Sequence, residues 1–119
     1  MGKEEGLIVF FGAENLAKVH HFYQGILGFP LYKDQGACRI YDVPGSGKLG
    51  FCNHIEPTKA WKSPIITWVV EDVDRIYQKL VDSGWNTLEP PKVNEAFKIY
   101  HFFIKDPNGY ALEIQKFLD

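Results

Sequence analysis

The stretch Gly6–Phe29, GLIVFFGAENLAKVHHFYQGILGF, and the stretch Ser63–Trp85, SPIITWVVEDVDRIYQKLVDSGW, share one plan. Each passes from an apolar run through an acidic or amide residue into an amphipathic segment that ends in glycine plus an aromatic. Placing Ile8 on Ile65 sets an offset of 57 residues, which also puts Leu16 on Val73 and, after a one-residue slip, Gly28 on Gly84. Such repetition marks a chain built from two similar units.

In the first amphipathic segment Leu16, Val19, Phe22, Tyr23, Ile26 and Leu27 fall on one arc at 100° per residue. In the second, Val73, Ile76, Tyr77, Leu80 and Val81 do the same. Both segments therefore read as helices with one buried face. Asn15 and Asp72 stand where N-caps belong, and Gly28 and Gly84 where a left-handed residue ends a helix. One strand precedes each helix and three strand-length runs follow it: Pro30–Lys33, Ala37–Val43 and Lys48–His54, then Asn86–Pro90, Phe97–Lys105 and Ala111–Phe117. The order is βαβββ twice. Asp106-Pro107-Asn108-Gly109 is a turn signal, and a bulge at Gly109 sets Phe103 opposite Glu113 and His101 opposite Gln115.

The chain has 119 residues with 13 Lys+Arg against 15 Asp+Glu, and 45% of them are apolar. That suits one compact α+β domain, 1–119, with module one at 6–54, a connector at 55–62 and module two at 63–119. A net charge of −2 without a basic run argues against nucleic acid. The apolar run near the start is too short for a signal-peptide core or a membrane span, so no membrane is expected. Cys38 and Cys52 are too few for a disulfide framework and suit a reducing cytoplasm, with Cys52 expected as a buried, inert thiol. Gly45-Ser46-Gly47-Lys48 lacks the Walker spacing and reads as a hairpin turn.

Three fragments carry a resemblance: NLAKVHHFYQGILGF (Asn15–Phe29), VVEDVDRIYQKLVDSGW (Val69–Trp85) and KDPNGYALEIQ (Lys105–Gln115). In this order and spacing the chain resembles the vicinal oxygen chelate superfamily of glyoxalases, bleomycin resistance proteins and dioxygenases. The resemblance implies two βαβββ modules forming incomplete barrels, a homodimer, and in the enzymes a divalent metal held by His, Gln or Glu from four strands. The matching positions here are Ile8, Ile65, Glu113 and the neighbourhood of Gly50. Only Glu113 offers a donor, and one carboxylate does not hold a catalytic ion. A displaced site at His54, Glu56 and His101 is the remaining route to a metal.

By period-2 alternation Ile8, Phe10, Ile65, Thr67 and Val69 share one face, with Val9, Phe11, Ile66 and Trp68 beneath the helices. The expected ligand-binding set is Ile8, Phe10, Ile65, Thr67, His101, Phe103, Glu113 and Gln115. Glu113 reads as a polar anchor able to act as a general base, or plainly as a carboxylate paired with a neighbour such as Arg39 or exposed at the cleft mouth. His101 reads as a ligand donor or proton relay, or as a satisfied structural residue. His20 and His21 read as surface. Trp61, Trp85 and Phe97 stand where rings can act as lids or simply pack.

The function expected is metal-independent small-molecule binding, for sequestration or resistance, with no cofactor. The alternative is a divalent-metal lyase, isomerase or dioxygenase resembling lactoylglutathione lyase.

Overall fold

A computed structural model describes residues 4, 6–58, 60–86 and 89–119. The chain divides into two compact units, Met1–Thr58 and Lys59–Asp119.

Unit one contains strand β1 (Ile8–Gly12), helix α1 (Leu16–His20) with a π-helical continuation over His21–Ile26, and strands β2 (Leu31–Asp34), β3 (Cys38–Asp42) and β4 (Lys48–Cys52). Unit two contains β5 (Ile65–Val69), α2 (Val73–Asp82), β6 (Lys92–Asn94), β7 (Ile99–Lys105) and β8 (Ala111–Phe117). Each unit forms one open four-stranded sheet, ordered β1-β4-β3-β2 and β5-β8-β7-β6. The first pair of each sheet is parallel and the others are antiparallel. The expected βαβββ order and α+β class therefore hold, as mixed sheets that do not close.

The repeat extends to register. Phe10 pairs with Gly50 in β1–β4 as Thr67 pairs with Glu113 in β5–β8, and Ile8 and Ile65 each open their strand. In the antiparallel ladders, Cys38 pairs with Cys52 as His101 pairs with Gln115, and Ile40 pairs with Gly50 as Phe103 pairs with Glu113.

Both caps form. The Asn15 side chain accepts from the Lys18 N–H and the Asp72 side chain from the Arg75 N–H, each at 3.0 Å. These bonds satisfy donors that a helix start otherwise leaves unpaired. Gly28 and Gly84 end the helices at φ +79° and +76°. The first helix departs from the expected regular helix: from His21 onward it widens into π geometry, with the Leu27 N–H reaching the Phe22 carbonyl. Phe22, Tyr23 and Ile26 stay buried through this wider turn. Tyr23 stacks on Phe51 at 4.7 Å between centroids, and Phe51 on Phe11 at 5.9 Å, forming the aromatic core of unit one. In unit two Tyr77 of α2 meets Phe102 edge-on at 5.3 Å, so the helix covers the Phe102 face of its sheet. The opposite face of that sheet carries His101, Phe103, Glu113 and Gln115.

Two expectations about strands change. The expected strand Asn86–Pro90 includes residues 87 and 88, which lie outside the described residues, and the strand that pairs with β7 is Lys92–Asn94. Pairing starts there because Pro90 and Pro91 have no N–H to give a ladder. Val9, expected beneath the helix, is 41% exposed, whereas Phe11 takes the buried place against Phe51. The Gly45–Lys48 stretch is a hairpin turn, closed by the Val43 N–H on the Gly47 carbonyl at 2.9 Å.

Candidate functional site

The hairpin β7–β8 sets the phase of the unit-two site. Asp106 accepts from the N–H groups of Asn108 and Tyr110 at 2.8 and 2.9 Å, and Gly109 takes φ +89°. A type I turn with a bulge at that glycine results, and it places Phe103 opposite Glu113 and His101 opposite Gln115. Glu113 is buried, and so is His101.

A buried carboxylate is costly unless its oxygens accept hydrogen bonds. Glu113 Oε1 accepts from the Thr67 hydroxyl at 2.8 Å, across the parallel β5–β8 pair. Its Oε2 lies 2.6 Å from His101 Nδ1, the distance of a charge-assisted hydrogen bond. Gln115, with its amide nitrogen turned toward the carboxylate, donates to Oε2 and Oε1 at 3.1 and 3.3 Å. Three side chains of the chain's own sheet thus hold this carboxylate. With Nδ1–H directed at Glu113, the imidazole keeps its Nε2 for another partner. Arg39, in unit one, lies 3.7 Å from Asp34.

The wall beside this network is aromatic and cationic. Phe103 meets the His101 ring edge-on at 5.4 Å and the half-exposed Trp61 ring at 6.5 Å. Lys62 Nζ stands 4.0 Å from the Phe103 centroid, and Lys105 Nζ stands 5.3 Å from that of Trp61. Such cation–π placements hold a charged head over a ring face. Among the expected lid residues, Trp85 donates its indole N–H to the Lys105 carbonyl at 2.9 Å, and Phe97 is exposed at the β6–β7 turn.

Of the expected set, unit two brings together Thr67, His101, Phe103, Glu113 and Gln115, with Ile65 on the same face of β5. Ile8 and Phe10 lie in unit one, on β1. There the Phe10 ring covers Gly50, where any β-carbon would collide with it.

The cysteines require a correction. Cys38 and Cys52 form a disulfide instead of leaving Cys52 as a free thiol, because the β3–β4 register sets them directly opposite at 4.1 Å between Cα atoms. Their flanking bond, from the Asn53 N–H to the Ala37 carbonyl, marks a non-hydrogen-bonded pair, whose side chains approach most closely. His20 is also more than surface: its Nδ1 sits 3.0 Å from the hydroxyl of Tyr41. Burial pushes the Tyr41 phenol above its ordinary pKa, against a smaller opposing effect of Arg39. On the α2-covered face of unit two, the hydrogen bond to Asp74 likewise raises Tyr100.

The metal positions of the resembling enzymes do not fit here. Ile8 and Ile65 offer no donor, Gly50 lies under Phe10, and Glu113 is already held by three neighbours. Among the described residues the group of three or more potential metal donors is elsewhere, at Cys38, Cys52 and His54. No described helix is long and apolar enough to cross a membrane.

No match is found among curated proteins. Solved structures with this fold include an integron cassette protein from the mobile metagenome of a Halifax Harbour sewage outfall, at 24% identity and TM-score 0.76, covering 96% of this chain and 99% of that one. A glyoxalase/bleomycin resistance protein/dioxygenase family enzyme from Burkholderia phytofirmans PsJN is similar at 19% identity and TM-score 0.77, covering 93% and 97%. TioX from Micromonospora sp. ML1 is similar at 16% identity and TM-score 0.79, covering 97% and 100%. The family model for the Glyoxalase/Bleomycin resistance protein/Dioxygenase superfamily matches residues 8–114, and the chain belongs to that superfamily.

Proposed function

We propose that the protein is a metal-independent binder that sequesters an aromatic or amphipathic small molecule on the Glu113 face of unit two. The observation that carries this reading is the saturation of Glu113 by Thr67, His101 and Gln115. A carboxylate so engaged orients an imidazole, and among the described residues no group of three His, Cys, Asp or Glu donors gathers on this face. The planar body of the ligand packs on Phe103 and Trp61, and its polar group meets His101. Apolar walls with a few placed polar groups are the usual make-up of such sites. The binder works in the cytoplasm as a homodimer, in which pairing covers the open sheet edges.

Thermal-shift screening of planar aromatic amines and acids tests this reading. A ligand should stabilise the wild type equally with and without chelator. Glu113→Gln, by loosening the His101 ring that meets the ligand, should weaken its binding by about 0.5–1.5 kcal/mol, and Phe103→Ala should weaken it as well. The reading fails if no compound stabilises the protein, or if bound compounds are indifferent to both variants. Chelator-sensitive turnover would instead favour the divalent-metal lyase, isomerase or dioxygenase.

A further inference from the structure

Unit one carries a second cluster that the Glu113 site does not use. Cys38 on β3 and Cys52 at the end of β4 face one another, and His54 follows two residues later in the turn. Cys38 Sγ lies 3.9 Å from His54 Nδ1, and one donor atom from each of the three residues falls within 4.8 Å of the others. Both cysteines are buried, while His54 is exposed. His54 also lines a pocket of about 180 Å³ together with Glu14 and Glu56. The cluster thus has two buried donors and one exposed donor, the exposed one sharing its pocket with Glu14 and Glu56.

We propose that Cys38, Cys52 and His54 form a redox-gated site for a soft divalent cation, with zinc as its physiological occupant. Two thiolates and an imidazole are the donor set that zinc prefers over hard cations, and a fourth position toward the pocket completes a tetrahedron. As a disulfide the sulfurs have no thiolate charge, so the oxidised protein does not bind. Two molecules of a low-molecular-weight thiol open the site. The thiolate of the first attacks Sγ of Cys38, the less buried of the two residues, and Cys52 leaves as thiolate. The second attacks the mixed disulfide, releasing Cys38 and one molecule of the oxidised dimer of that thiol. Two electrons enter the protein, and the two protons that would rest on the thiols are released when the cation binds. With Zn–S bonds of about 2.3 Å, the sulfurs of a tetrahedral site stand roughly 3.8 Å apart. Rotation of the two side chains supplies that separation without moving the strands.

This site is independent of the ligand face proposed above and stands or falls separately. Its test is titration of the phosphine-reduced protein with cobalt(II) alone, followed by zinc(II). The expected result is one equivalent of cobalt giving a thiolate-to-cobalt charge-transfer band and the strong visible bands of tetrahedral coordination, both bleached by zinc. The oxidised protein should give neither. His54→Ala, at an exposed position, should weaken cobalt binding at least about tenfold, whereas His21→Ala should leave it unchanged. Cys38→Ser should abolish the charge-transfer band. Absence of that band in the reduced protein, equal binding by the oxidised protein, or indifference to His54→Ala would each overturn the proposal.

Discussion

The ring of Phe10 lies over Gly50 in the sheet of unit one, at the register position where Thr67 reaches Glu113 in unit two. The same pair of strands in each half therefore resolves its exposed face differently. One half fills the position with an aromatic ring on bare backbone, and the other builds a buried polar network.

Replacing Gly50 with Ala forces the Phe10 ring from its seat. Because the half-exposed ring can swing aside, urea denaturation should show a loss of about 1 kcal/mol, at the low end of the cost of overpacking. In a Phe10→Ala background the same replacement should cost markedly less. Equal costs in both backgrounds would separate the two residues.

Thr67→Val keeps the shape of the side chain and removes the donor to Glu113 Oε1. Because the acceptor is a buried carboxylate, the expected loss is about 1.5–3 kcal/mol. The loss should shrink when Glu113 is already Gln, a comparison that a double-mutant cycle makes directly.

The Cys38–Cys52 disulfide joins residues 14 apart in sequence. Closing a loop of that length restricts the unfolded chain, so reduction without metal should lower unfolding stability by about 2–4 kcal/mol. Denaturant midpoints measured with and without a phosphine reductant read this out, and Cys38→Ser should show no response to the reductant.

Tyr100 donates to Asp74 at 2.5 Å, and this bond holds the phenol above the ordinary tyrosine value near 10. A folded pKa raised above the unfolded one gives stability that is complete below pH 10 and is lost as pH rises through the folded value. Phenolate absorbance, taken as the difference between wild type and Tyr100→Phe, should show this group ionising later than free tyrosine. Asp74→Ala should return it toward 10.

Local chemistry made much of the architecture legible in the sequence. The caps at Asn15 and Asp72, the end glycines 28 and 84, and the turn at 106–109 each act over four residues or fewer. Period-2 alternation from that turn then predicted the pairing of Phe103 with Glu113. What the sequence did not disclose depends on partners brought together by sheet register. Thr67 and Glu113 were both expected on the ligand face, but their hydrogen bond spans 46 positions and follows from the parallel pairing of β5 with β8. The Cys38–Cys52 bond was missed for a similar reason, since two cysteines in strands declare themselves a pair only once the strands are aligned. His54 reads in the sequence as a metal donor beside Glu56 and His101, and only the strand alignment sets it next to the two sulfurs.

The five residues between Lys105 and Ala111 act as the clock of the second unit. Deleting one of them while β7 held its place would slip β8 by a single step against its neighbour, and every side chain on it would change sides. Leu112 and Ile114 would turn outward, and Glu113 would be driven beneath α2 without Thr67 or His101 to receive it. Length at this corner is therefore as strongly constrained as the identity of any residue in the network it serves.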